Sequence, residues 1–202
     1  MNQTMGGGPP APSGEMLVVN SPYEVANWRP LVHWLMYIPH YIVIYILNFV
    51  AGFIFVLYWL TLIFTGRLHR GMYGLLIMFQ RYETRAGAFL IGFTEQYAPF
   101  DFDTGTTDNG IYPPIRLNVP EPPESTSRVA ALNWILAFPH YIVMAVYGIA
   151  AMFVLVIGWF AVLFTGAWPH GMRDFLVKFG NYYMRIWVYV AMVETKYPKF
   201  GI

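Results

Sequence analysis

Ile38-Pro39-His40-Tyr41-Ile42-Val43 recurs one hundred residues later as Phe138-Pro139-His140-Tyr141-Ile142-Val143. Each copy opens a long apolar run. Residues 41–64 and 141–164 contain no acid or base other than tyrosine, 24 residues in each case. At ~1.5 Å per residue such a helix is about 36 Å long, enough to cross a ~30 Å hydrocarbon layer with some tilt.

The same offset holds outward from that core. Phe64-Thr65-Gly66 meets Phe164-Thr165-Gly166, Gly71-Met72 meets Gly171-Met172, and Trp34, Trp59, Phe79, Tyr82 and Arg85 meet identical residues. A register held this far without a gap is an internal duplication. Each unit opens with a short β-like stretch, Leu17-Val18-Val19 or Ile115–Val119. An aromatic-rich helical turn follows, then a proline suited to the first turn of a spanning helix, then a glycine suited to its C-cap. The expected organisation is a tail at 1–14, unit 1 at 15–100 (span 41–64, second helix 72–93), a polar linker at 101–114, and unit 2 at 115–202 (span 141–164, second helix 172–193). Residues 1–14, rich in Gly and Pro and without an apolar stretch, read as a disordered tail and not as a signal peptide. The expected fold class is an all-α integral membrane protein made of a duplicated helical hairpin, with four transmembrane helices and short β-like segments before each unit.

Composition agrees. Of 202 residues, 57% are hydrophobic, 19% aromatic and 11% charged, with a net charge of +1 and no cysteine; soluble domains average about 45–50% apolar and ~25% charged. The balanced charge excludes an electrostatic nucleic-acid binder. The lack of cysteine excludes disulfides, thiolate metal sites and thiol catalysis.

The second helices carry charge: Arg81, Glu83 and Arg85 in unit 1; Arg173, Asp174, Lys178 and Arg185 in unit 2. One polar stripe on an apolar cylinder allows a span with its stripe turned to protein, or a helix lying in the headgroup region. Basic residues near the Phe-Thr-Gly loops (Arg67, Arg70, Arg173) and acids at the opposite ends place both short loops, 66–71 and 166–171, on the cytoplasmic side by the positive-inside bias. That makes the units parallel repeats with four spans; interfacial second helices would instead give two spans and inverted repeats.

Pro139-His140-Tyr141-Ile142-Val143, Phe164-Thr165-Gly166, Pro169, Gly171, Arg185 and the closing Tyr197-Pro198-Lys199-Phe200 carry a resemblance to a family of bacterial membrane proteins, domain of unknown function 4389. The first unit departs from it, with His69-Arg70 in place of Pro169-His170 and Ala98 in place of a proline. The resemblance implies a bacterial inner-membrane location and transfers no catalytic residue.

The candidate sites are correspondingly few. Arg81, Arg85, Lys178 and Arg185 are candidates for holding a lipid phosphate, a quinone oxygen or a partner carboxylate; the alternative is a structural arginine bonded within the bundle. His40 and His140 are repeat-equivalent and candidates for haem or metal ligation, or else anchors at the helix ends. Trp28, Trp34, Tyr41, Trp134 and Tyr141 form an expected interfacial belt. There is no HExxH, GxSxG, GxGxxG or Walker loop. The expected function is a non-catalytic accessory or scaffold subunit of a larger bacterial membrane complex, with no cofactor, and with membrane lipids and other integral subunits as partners. A lipid- or quinone-binding module using Arg85 and Arg185 is the second reading, and a haem-binding redox subunit the third.

Overall fold

The computed structural model describes residues 15–202, so the expected tail at 1–14 lies outside the described residues. The order is β1 (Leu17–Val19), α1 (Arg29–Thr65), α2 (Arg70–Leu90), β2 (Ile115–Leu117), a 3₁₀ turn at Arg128–Leu132, α3 (Asn133–Leu136), α4 (Phe138–Thr165) and α5 (His170–Val190). The protein is mostly helical. Two helical stretches, Arg29–Thr65 and Arg128–Thr165, are long and apolar enough to cross a membrane.

Local chemistry sets the helix ends. Gly66 and Gly166 take left-handed backbone (φ 72° and 70°), and their N–H groups bond Leu62 O and Val162 O, which stops α1 and α4. The His69 imidazole accepts the Met72 N–H at 3.2 Å and caps α2. The second helices end short of 93 and 193, because Gly92 and Met192 turn left-handed and the next N–H reaches back to Ala88 O and Val188 O. The prolines do not behave alike. Pro139 sits in the first turn of α4, as its sequence suggests, but Pro39 lies inside an α1 that runs unbroken from Arg29.

The two units interlock by a pseudo-twofold exchange. β1 and β2 pair antiparallel with Leu17 opposite Leu117. Each strand packs on the other unit's second helix, β1 on α5 and β2 on α2. The Trp59 indole donates to Ala131 O at 2.8 Å, and its counterpart Trp159 donates to Pro30 O at 3.1 Å. The end of α1 therefore lies at the start of unit 2, and the end of α4 at the start of unit 1, where the Val25 N–H bonds Gly166 O. α1 and α4 are antiparallel. This corrects the expectation that the two units are parallel repeats, since loops 66–71 and 166–171 stand at opposite ends of the α1/α4 pair. One of the charges behind that expectation, Arg173, is buried in the protein.

α1 and α4 form one layer, α2 and α5 a second, and the β-ribbon with the linker a third. The core lies between the second layer and its neighbours. Leu17, Ile115 and Leu117 bury from the ribbon, and Tyr73, Ile77 and Phe89 from α2. The linker runs from Asp101 at Arg85 to Thr104 against Gly74. It then doubles back to Pro114 beside Asn20, and returns through β2 to Pro120, whose carbonyl accepts the Tyr73 hydroxyl.

Candidate functional site

Arg81 and Arg85 stand one turn apart on α2 with side chains 2% exposed. The linker answers them with acids. Arg85 meets Asp101 at 2.6 Å and Asp108 at 2.9 Å, while Arg81 lies 3.4 Å from Asp103 and 3.6 Å from Asp108. Arg81 also donates to Gly105 O at 2.7 Å and to Leu117 O. Asp108 accepts in addition the N–H groups of Leu117 and Gly110. The result is a buried network of two guanidiniums and three carboxylates that fastens the linker to α2. Burial alone would raise the Asp101 carboxyl, but hydrogen bonds from Asn109 and Arg85 outweigh it and hold its pKa below the usual aspartate value. Beside the network the buried Tyr112 hydroxyl donates to Gln96 O at 2.6 Å, and burial pushes its pKa up to about 12.

Unit 2 uses the same positions with different chemistry. Asn181, the counterpart of Arg81, accepts the N–H groups of Met16 and Leu17 and donates to Leu17 O. Arg185 donates to Gly201 O at 2.6 Å and lies beside the Tyr182 ring. Lys178 is exposed. The four candidate cations are thus not gathered into one site. Sequence reading passed over Arg173 as a site residue. It is 2% exposed, donates to Pro22 O, Ser21 O and the Ser21 hydroxyl at 2.6–2.8 Å, and stacks over Tyr23. The signal available in the sequence was its position in the first turn of α5, one hundred residues from Tyr73, which anchors the other unit's strand segment in the same way.

His40 and His140 are buried in equivalent cages. Each Nδ1 lies 2.7 Å from a tyrosine hydroxyl, Tyr82 or Tyr182. Each ring stacks on the phenylalanine of its unit's closing motif, Phe100 at 4.6 Å and Phe200 at 4.2 Å, beside Tyr97 or Tyr197. These are intra-unit cages and do not bring the two histidines together. Among the described residues no group of three or more His, Asp or Glu side chains is placed to hold a metal ion. His69 caps α2, and His170 packs on Tyr23.

Trp28, Trp34, Tyr41, Trp134 and Tyr141 are all exposed. They belong to a larger surface. Most of the large apolar side chains on the outer faces of α1 and α4 are exposed, Phe49 by 83% and Phe53 by 65%. Behind this face, between the units, lies a cavity of about 240 Å³ bounded by Leu17, Glu83, Thr84, Ala151, Leu155 and Gly180. Glu83 forms no ion pair with Arg81 or Arg85, whose partners are the linker acids.

Architecture and site define a duplicated helical-hairpin protein with two helices able to cross a membrane. Residues 27–103 and 129–201 each match the family described as domain of unknown function (DUF4389), and the chain belongs to that family as two tandem copies. No curated protein and no solved structure matches the chain.

Proposed function

We propose that this chain is a non-catalytic accessory or scaffold subunit of a larger membrane assembly in the bacterial inner membrane. The observation that supports it most is the contrast between its charges and its apolar face. The buried arginines are engaged by the chain's own groups, Arg85 by Asp101 and Asp108 and Arg173 by Ser21 and Pro22. The outer face of α1 and α4 is long, aromatic and unpartnered within the chain. A surface of that size on a soluble monomer would be a liability, and it fits lipid and neighbouring subunits. Native mass spectrometry of the protein released in mild detergent tests this. A protein partner in fixed ratio is the expected result.

The second reading, a lipid- or quinone-binding module, draws on the cavity between the units, where Glu83 and Thr84 are set in apolar walls. A small apolar molecule retained in place of a protein partner would favour it over the scaffold reading.

A further inference from the structure

We propose that α1 and α4 lie side by side in the plane of one membrane leaflet, with their outer faces among the acyl chains and the ribbon-and-linker layer in water. This rests on the reading of the chain as a membrane protein and specifies which surface meets the lipid, and how.

The first observation is the linker. It runs along α2, between Arg85 and Gly74, with Thr104, Gly105, Thr107 and Asn109 exposed on its outer side. If α1 and α4 stood upright, this irregular backbone would lie at bilayer depth and face lipid. A peptide group left unpaired there has no water to bond, and lipid-exposed irregular segments do not occur in the hydrocarbon region. Turned through a right angle, the same layer is simply hydrated.

The second observation is length. α1 has 37 residues, and no Lys, Arg, Asp or Glu lies between Arg29 and Arg67. At ~1.5 Å per residue it is about 55 Å long. Even with its headgroup regions a bilayer is about 40–45 Å thick, so an upright α1 would project beyond it. A helix in the plane has no such limit.

The third is the pattern along the helix. Leu31, Leu35, Ile42, Phe49 and Phe53 hold one exposed face at helical spacing. Tyr45 and Asn48, both exposed, sit midway along α1, where an upright helix would carry their polar tips to the bilayer centre. At a shallow depth the same tips reach the headgroups. Arg67, Arg70 and Arg128, all exposed at one end of the α1/α4 pair, complement anionic headgroups.

The chain lacks cysteine, so single-cysteine variants report cleanly. The full chain carrying Leu35→Cys, Ile46→Cys, Phe53→Cys or Ile149→Cys is spin-labelled and reconstituted in phosphatidylglycerol–phosphatidylcholine vesicles. Relative accessibility to oxygen and to a nickel chelate then gives the depth of each label. In-plane helices place all four labels at one shallow depth, about 5–10 Å below the headgroup boundary. A depth that rises to a maximum at position 46 and falls on either side means a spanning helix and overturns the proposal. Low accessibility to both reagents means that protein, such as a second copy, covers the face, and overturns it too. A companion measurement uses Gly71→Cys and Gly171→Cys, exposed positions at opposite ends of the helix pair, with an impermeant thiol reagent on sealed vesicles of one orientation. Equal labelling is expected, and labelling of one alone overturns the proposal. Failure of the unlabelled protein to float with vesicles would remove the membrane reading itself, a result distinct from a wrong orientation.

Discussion

Asp108 is a single linker residue that serves two guanidiniums and two backbone amides. Removing one partner from a buried charge network leaves the others uncompensated, and that costs ~3–5 kcal/mol. Asp108→Asn should therefore lower the thermal unfolding midpoint strongly. Glu95→Gln, which breaks the more exposed pair with Arg29, should change it by no more than the ~0–1 kcal/mol typical of surface pairs. Comparable shifts for the two variants would mean that the network contributes nothing special. The same network gives a pH dependence. Asp101 has a folded pKa below its ordinary value, so its contribution is complete above the unfolded aspartate pKa of ~3.9 and is lost as pH falls through the lower folded value. The linker should stay protected from hydrogen exchange at neutral pH and open in acid below pH ~4, before the helices do. Protection at residues 101–110 that does not change down to the acid unfolding of the whole chain would contradict this.

Close packing at the level of the helices depends on particular small residues. A Cβ at Gly158 would run into the Trp168 ring, whose indole is fixed by a 2.8 Å bond to Gly92 O, whereas Gly148 has open space around it. Gly158→Ala should destabilise by ~1–3 kcal/mol through overpacking. Gly148→Ala should be neutral or stabilising, since glycine inside a helix costs ~1 kcal/mol against alanine. Thermal scans of the pair distinguish a packing role from a general intolerance of substitution. Much of this level was legible in the sequence. The apolar runs, the glycine caps and the β-like stretches are local signals. The helix ends at Gly66 and Gly166 and the strands Leu17–Val19 and Ile115–Leu117 lie where they stand, whereas α1 starts at Arg29 and runs through Pro39. The pairing of Leu17 with Leu117 was not legible, because a three-residue strand carries no information about its partner. Nor was the partnership of Arg81 and Arg85 with the linker acids, since those acids lie 16–27 residues away in a segment without periodicity. The antiparallel course of α1 and α4 was not legible either, for a specific reason. By sequence Arg173 reads as a loop charge, but its guanidinium is taken up by Ser21 and Pro22 inside the protein.

For the whole molecule, duplication has produced exchange. The strand that opens each unit is held by the other unit, through Arg81 to Leu117 O on one side and Asn181 to Leu17 O on the other. Each spanning-length helix is likewise tied by its tryptophan to the start of the other unit. Residues 1–105 alone would keep Arg81 and Arg85 but lose Asp108 and the Leu117 carbonyl. Residues 106–202 alone would keep Arg173 but lose Ser21 and Pro22, leaving a buried charge without acceptors. Each deficit is of the order of several kcal/mol, comparable with the ~5–15 kcal/mol that holds a whole domain folded. Neither half should therefore persist as a monomer. Expressed alone, each should be degraded, or should pair with a second copy of itself so that the exchange is restored between chains. Expressed together, the halves should co-purify in equal amounts and regain the protease resistance of the intact chain. The measurement is size and protease sensitivity of each half, alone and together. A half that is monomeric and protease-resistant by itself would show that the exchanged strands and tryptophans are incidental to the fold.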